Sequence, residues 1–178
     1  MEDASWSDLL KFAGEARDKS AAGQARNLVK RAARAASALA DPDEKRIAVS
    51  ICEGMLASLR KRFMRAELML QVAVTAASKA DAWLDLSIAR LALVELGTTK
   101  LMTRKYSQAA HCFEKALELF GEGQQDSREG EAVAEKLVRA RGAMRKHTSD
   151  HKDSNVSATD EIPLDAKMHI EQVLGIPF

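Results

Sequence analysis

The chain has 178 residues, which is enough for one ordinary domain or one short helical array and too few for two large independent cores. Only 4% of the residues are aromatic, and this composition favours closely packed helices over sheets rich in β-branched and aromatic residues. The net charge of +1 combines −4 in residues 149–178, where six acids outnumber two lysines, with +5 in the rest. An excess this mild does not by itself predict a polyanionic partner.

Start and stop signals predict seven helices in chain order. A side-chain oxygen at a helix start accepts a hydrogen bond from an unpaired first-turn amide, and glycine marks many helix ends. The predicted N-caps are Ser5, Ser20, Asp41, Ser78 and Ser127. The predicted helices cover about residues 6–18, 20–40, 42–60, 62–77, 78–102, 106–120 and 127–146. Gly121 and Gly123 are expected to end the sixth helix.

The composition changes after the seventh helix. Residues 148–162 are rich in Ser, Thr, Asp and Asn and contain too few apolar residues to offset the entropy of ordering, so they predict a disordered linker. Residues 163–178 begin with a proline and predict a short, partly amphipathic helix in a C-terminal tail. The sequence thus predicts a helical domain over residues 1–147, followed by a linker and a tail.

An internal repeat follows from comparing the chain with itself. Gly54 and Gly97 are 43 residues apart, and at this offset small residues align with small ones and large with large. The other aligned pairs are Phe63 with Tyr106, Ala66 with Ala109, Leu70 with Phe113, Ala73 with Ala116, and Val74 with Leu117. Small residues let two helices cross closely, and large ones fill the gaps between them. A fixed period of this kind predicts stacked helix pairs.

A family resemblance is most specific in residues 90–123. The matching residues are Leu93, Val94, Glu95, Leu96, Gly97, Tyr106, Ser107, Gln108, Ala109, Phe113, Ala116 and Leu117. They resemble one tetratricopeptide repeat (TPR), and weaker copies span about 47–80 and 6–39. The resemblance implies three antiparallel helix pairs in a right-handed array, closed by a capping helix over 127–146. The period of 41–43 residues exceeds the usual 34, and Gly121 replaces the closing proline, which predicts a longer-helixed relative of the fold.

The resemblance also implies a partner-binding groove, lined by the first helix of each pair. The groove residues would be Ile51, Met55, Leu59, Val94, Thr98, Leu101 and Met102. This apolar lining suits an amphipathic helix or an apolar peptide, and it lacks the Asn, Lys and Arg with which one TPR subclass clamps carboxylates. The equal alternative is that these residues face another helix of the same chain. Residues 163–178 are a candidate occupant by intramolecular docking, or a motif offered to another protein.

Sequence motifs for catalysis are absent. The chain has no glycine-rich phosphate loop after a strand, no G-x-S-x-G turn and no H-E-x-x-H helix. His147 and His151 lie four residues apart, but in a stretch predicted to be disordered, and His111 and Cys112 point in different directions on a helix. We therefore predict a non-enzymatic protein with no metal site and no cofactor.

The main functional prediction is a protein-protein interaction scaffold or adaptor, part of a larger complex. RNA binding is the alternative, carried by basic residues near the turns, although few aromatics are present for base stacking. These residues are Arg60, Lys61, Arg62, Arg65, Lys100, Arg104, Lys105, Arg139, Arg141, Arg145 and Lys146. The acidic first residues, two cysteines expected to be reduced and the lack of a long apolar run predict a cytoplasmic protein, or a nuclear one, without a membrane partner.

Overall fold

The computed structural model describes residues 4–79, 85–120 and 127–156. In these ranges the regular structure is entirely helical and contains no strand, which confirms the predicted all-α fold. The helices are α1 (Trp6–Asp18), α2 (Ala22–Ser37), α3 (Pro42–Leu59), α4 (Phe63–Lys79), α5 (Leu86–Met102), α6 (Tyr106–Glu118) and α7 (Arg128–Val156). Among these described helices, none combines the length and the apolar composition needed to cross a bilayer.

The chain divides into two units, Met1–Arg141 and Gly142–Phe178. In the second unit, the described structure is the C-terminal part of α7. In the first, α1 packs on α2, α3 on α4, and α5 on α6, and each pair also contacts the next through α2 with α3 and α4 with α5. Because short turns join the two helices of each pair, the chain reverses direction within the pair. The structure is therefore a stack of three antiparallel helix pairs.

The turn inside each pair has the same conformation three times. Ser20, Lys61 and Arg104 have φ angles of 63°, 59° and 61°, and they are 41 and 43 residues apart. The next residue closes each turn by donating its N–H back to a carbonyl oxygen five residues earlier, from Ala21 to Ala16, Arg62 to Ala57, and Lys105 to Lys100, at 2.8, 2.9 and 2.9 Å. This is a helix C-cap with one left-handed residue. Because this C-cap recurs once in each pair, the backbone conformation of the turn repeats from pair to pair.

The packing inside the pairs depends on two glycines. A β-carbon on Gly54 would lie 2.5 Å from Cγ of Leu70, and one on Gly97 would lie 2.7 Å from Cε1 of Phe113. Such distances are shorter than van der Waals contact, so each glycine allows the second helix of its pair to approach. Of the other predicted packing residues, Ala66, Ala73, Ala109 and Ala116 are buried. Phe63 and Tyr106, the first residues of α4 and α6, are half-buried.

Several helix boundaries differ from the prediction. Ser20 is the left-handed turn residue, so α2 begins at Ala22 without a side-chain cap. Ser78 lies inside α4 and donates to the carbonyl oxygen of Thr75, while the cap of α5 is Asp85, whose Oδ1 accepts from Ser87 N–H at 2.8 Å. The sixth helix ends at Glu118 rather than 120. Gly121 and Gly123, expected to end it, lie outside the described residues.

The seventh helix is longer than predicted. Ser127 is its N-cap, since its Oγ accepts from Gly130 N–H at 3.2 Å, but the helix continues past residue 146 to Val156. Residues 148–156 therefore correct the prediction of a disordered linker over 148–162. No proline or glycine lies between residues 143 and 156, so the polar composition lowers helix propensity without breaking the helix. The remainder of that segment and the tail over 163–178 lie outside the described residues.

Candidate functional site

Two residues of the predicted groove belong to the core. Ile51 and Met55 of α3 are 0% and 1% exposed, and they pack in a buried cluster shared by α1 to α6. Leu59, one turn further along α3, is half-buried against the same cluster. The stripe on α3 predicted to line a groove therefore faces neighbouring helices of the chain. Ile51 and Met55 are not accessible to a partner.

The other four predicted groove residues lie near α7. Val94 lines a cleft of about 410 Å³ between α1, α5 and α7, which we call the α7 cleft. Thr98, Leu101 and Met102 line a second cleft of about 580 Å³, with residues of α1 and α7 on its other walls. Thr98 is buried, Leu101 is half-buried and Met102 is exposed. Two of the first helices, α1 and α5, thus line clefts whose other wall is α7 of the same chain.

Apolar contacts hold one face of α7 in place. Its residues Val133, Leu137 and Ala140 are buried in a second cluster together with residues of α5 and α6. The members from α5 and α6 are Leu93, Ala109, Ala110, Phe113 and Ala116. Leu137 follows Val133 by four positions and Ala140 follows Leu137 by three, so the three side chains form one helical stripe. This stripe anchors the N-terminal half of α7 beside the third helix pair.

Two ion pairs join α7 to α1. Lys11 Nζ lies 2.8 Å from Glu129 Oε1, and Lys136 pairs with Asp18. The Lys11 hydrogen bond lowers the pKa of Glu129. Burial alone would raise the pKa of Asp18, but hydrogen bonds and charge from Lys136 and Arg17 outweigh it, and the pKa is lowered. Both carboxylates are therefore charged at neutral pH and attract α7 to α1.

A buried ion pair crosses from α1 to α5. Both terminal nitrogens of Arg17 donate to the carboxylate of Glu95, one of them at 3.1 Å, and the two side chains are 12% and 3% exposed. Burial alone would lower the pKa of Arg17, whereas the negative charges of Glu95 and Asp18 raise it above the ordinary value. Because each charge satisfies the other, the pair links the first and third helix pairs without leaving a charge unpaired.

Most of the basic residues near the turns have partners. Lys100 is buried and donates to Glu67 at 2.8 Å and to Gln108 at 2.6 Å, and Lys105 donates to the second oxygen of Glu67 at 2.7 Å. The hydrogen bonds from Lys100 and Lys105 hold the pKa of Glu67 below its ordinary value. Arg65 and Arg141 also form ion pairs with carboxylates. By contrast, Arg60, Lys61 and Arg62 are exposed and form no ion pair with a residue that the structure describes.

The two cysteines have the environment of core residues. Cys52 and Cys112 are both buried and neither forms a disulfide bond. Burial raises the pKa of Cys52 to about 12 and also raises that of Cys112. Both thiols are therefore protonated at neutral pH and are poor nucleophiles or metal ligands in this form. Within the described ranges, no group of three or more His, Cys, Asp or Glu residues is placed to hold a metal ion.

An exposed apolar row on α4 was missed by the sequence reasoning. Met64, Leu68 and Val72 are 81%, 60% and 41% exposed, and their spacing of four residues places them on one face. Ala66, Leu70 and other packing residues occupy the opposite face. The sequence did contain a signal for this row. The fourth helix has apolar residues on both faces, and the repeat pattern accounts for only one of these faces. We call Met64, Leu68 and Val72 the α4 row.

Comparisons with known proteins identified no similar protein. No protein-family model, no curated protein and no solved structure matches this chain. The TPR resemblance of residues 90–123 stays a prediction, to be weighed with the recurring turns and the two close glycine contacts.

Proposed function

We propose that the protein is a non-enzymatic, TPR-like scaffold or adaptor that binds an apolar helical segment of another protein. The observation that carries this proposal is the α4 row. Three large apolar side chains project from consecutive turns of one helix, although the same helix already packs its other face into the core. Single exposed apolar residues are common on protein surfaces, whereas a contiguous patch marks an interaction site.

The row has suitable dimensions for a helical partner. Met64 and Val72 are eight residues apart, which corresponds to about 12 Å along a helix axis. An amphipathic helix with apolar residues at every third or fourth position would place two or three of them against this row. Burial of one such side chain contributes roughly 1.5–3 kcal/mol before the costs of association. Methionine at the most exposed position adapts its shape to different partner side chains.

The charge beside the row indicates which partner helix fits best. Arg60, Lys61 and Arg62 immediately precede α4, are exposed, and lack carboxylate partners among the described residues. The first turn of α4 contains no acidic residue, so the positive end of its helix dipole adds to these charges. A partner with carboxylates at the end of its apolar stripe would pair with them. We therefore expect an acidic amphipathic helix, in place of the wholly apolar groove ligand suggested by the sequence.

A matched pair of surface variants tests the proposal. Leu68→Glu places a charge in the centre of the α4 row, and Val138→Glu places the same charge at a 70% exposed position of α7 outside the row. Both side chains are exposed, so both variants should fold like the parent, as circular dichroism will show. Partners would be cross-linked to the parent in cells, identified, purified and titrated against each variant.

The expected result is an at least tenfold weaker affinity for Leu68→Glu and no change for Val138→Glu. A partner that binds all three proteins equally would show that the α4 row is not the binding surface. If no purified candidate binds the parent directly, the adaptor function itself is wrong. Charge reversal of Arg62 in Arg62→Glu should weaken binding less, and this loss should shrink at high salt.

A further inference from the structure

The α7 cleft is a second feature that the adaptor function does not use. All residues that line it belong to the first unit, and its volume of about 410 Å³ lies in the range of small-molecule sites. Leu91 and Val94 of α5, Phe120 and Val133 form its apolar walls.

The ion pairs of α7 set the length of the cleft. Glu129 and Lys136 both line it, and they are seven residues apart, which is about 10 Å along the helix. Between them α7 presents Ala132, whose side chain is too small to fill the space. The ion pairs to α1 therefore lie at the two ends of a segment of α7 that leaves room for a ligand.

The partly buried charged residues that line the cleft are paired, whereas Glu15, Lys19 and Arg128 line it at exposed positions and form no ion pair with a described residue. Lys11 and Arg90 both pair with Glu129, at 2.8 and 3.4 Å, and Arg90 also stacks on the ring of Phe120 at 4.0 Å. Arg17 is paired with Glu95, as described above. An ionic group placed among these partly buried residues would compete with one of the pairs and leave a partly buried charge without a partner. An uncharged apolar ligand can occupy the cleft without disturbing any pair.

We propose that the α7 cleft binds an uncharged, apolar small molecule, such as a short hydrocarbon chain or a ring system about 10 Å long. The walls provide apolar contact, and the pairing of the partly buried charges disfavours an ionic group within the cleft. This site is separate from the α4 row and does not depend on the proposed adaptor function.

Binding can be measured with the full-length protein and a neutral fluorescent probe, N-phenyl-1-naphthylamine. Probe fluorescence should rise on binding and saturate at one probe per chain. Unlabelled 1-decanol should displace the probe, whereas decanoate and decylammonium, which have the same chain with a charged end, should compete at least tenfold more weakly. Equal competition by either ion would overturn the proposal.

Variants locate the probe in the cleft. Ala132→Leu fills the space with a residue that favours helix, and Val94→Leu adds one methylene from the opposite wall, so at least one of them should keep the native circular dichroism spectrum. A native-like variant of either kind should bind the probe at least threefold more weakly than the parent. Leu68→Glu should leave probe binding unchanged. Unchanged affinity in the cleft variants, or loss of binding in Leu68→Glu, would place the probe elsewhere and refute the proposal.

Discussion

Gly97 of α5 lies so close to the ring of Phe113 in α6 that a β-carbon at position 97 would be 2.7 Å from Cε1. Gly54 and Leu70 stand in the same relationship one pair earlier, at 2.5 Å from Cγ. In both pairs the glycine precedes its large partner by sixteen residues and the left-handed turn lies between them. Each pair is therefore built on one small residue and one large residue in a fixed register.

Replacing Gly97 by alanine should destabilise the protein. The new methyl group would overlap the buried ring of Phe113, and overpacking of a core typically costs about 1–3 kcal/mol. Gly142→Ala is the matched control, since a β-carbon at that helical position of α7 meets no atom within 4 Å. The control should be neutral or stabilising by up to about 1 kcal/mol because alanine favours helix. Urea denaturation of both variants tests this, and equal stabilities would contradict the close contact.

Glycine at the left-handed turn positions should stabilise the fold. Lys61 and Arg104 have φ near 60°, a conformation that costs a residue with a β-carbon roughly 1 kcal/mol and costs glycine little. We expect Lys61→Gly and Arg104→Gly each to raise the free energy of unfolding by about 0.5–1 kcal/mol. Arg60→Gly serves as the control, because Arg60 in the same turn has φ of −96° and gains nothing from glycine. A control that stabilises equally would show that the gain does not come from the left-handed conformation of the turn.

The buried pair of Arg17 and Glu95 should behave as one unit. Glu95→Leu leaves the Arg17 guanidinium buried without its main partner, and breaking a buried pair in this way costs roughly 3–5 kcal/mol. The double variant Arg17→Met/Glu95→Leu should recover most of that loss, because no charge remains buried. The exposed pair of Arg65 and Glu53 gives a control cycle, for which a coupling below about 1 kcal/mol is expected. Additive losses at Arg17 and Glu95 would show that the two residues are not coupled.

Acid should weaken the attachment of α7 to α1. The pKa values of Glu129 and Asp18 are lowered in the folded protein, so both carboxylates bind protons less readily than in the unfolded chain. Their stabilisation is fully present above the ordinary carboxyl pKa of about 4, and it is lost as the pH falls through the lower folded values. Because both groups are partly exposed, each should contribute less than about 1 kcal/mol.

The pH effect can be isolated by comparing two proteins. Free energies of unfolding would be measured by urea denaturation at pH 7, 5 and 3.5 for the parent and for Asp18→Asn/Glu129→Gln. The double variant should be less stable at pH 7 and should lose less stability between pH 5 and 3.5. Parallel curves for the two proteins would mean that other carboxylates carry the acid dependence.

Local signals determined the helix pairs. The caps Ser5, Asp41 and Ser127, and the proline after Asp41, act on neighbours within one turn, and such effects can be read from a linear sequence. The same locality explains the error at the fifth helix. Ser78 and Asp85 are both good N-caps, and the sequence alone does not decide between them. Asp85 accepts the first-turn bond, while Ser78 remains inside α4.

The position of α7 was decided only by the tertiary structure. Lys136 and Asp18, which join α7 to α1, are 118 residues apart, so no local pattern links them. The same holds for Arg17 and Glu95, which join α1 to α5 and are 78 residues apart. The same is true of exposure, since Leu68 and Ile51 are both apolar residues in helical register, yet one is 60% exposed and the other is buried. Which apolar face meets another helix depends on how the pairs stack and where α7 packs. These long-range contacts placed the α4 row on the surface and opened the cleft beneath α7.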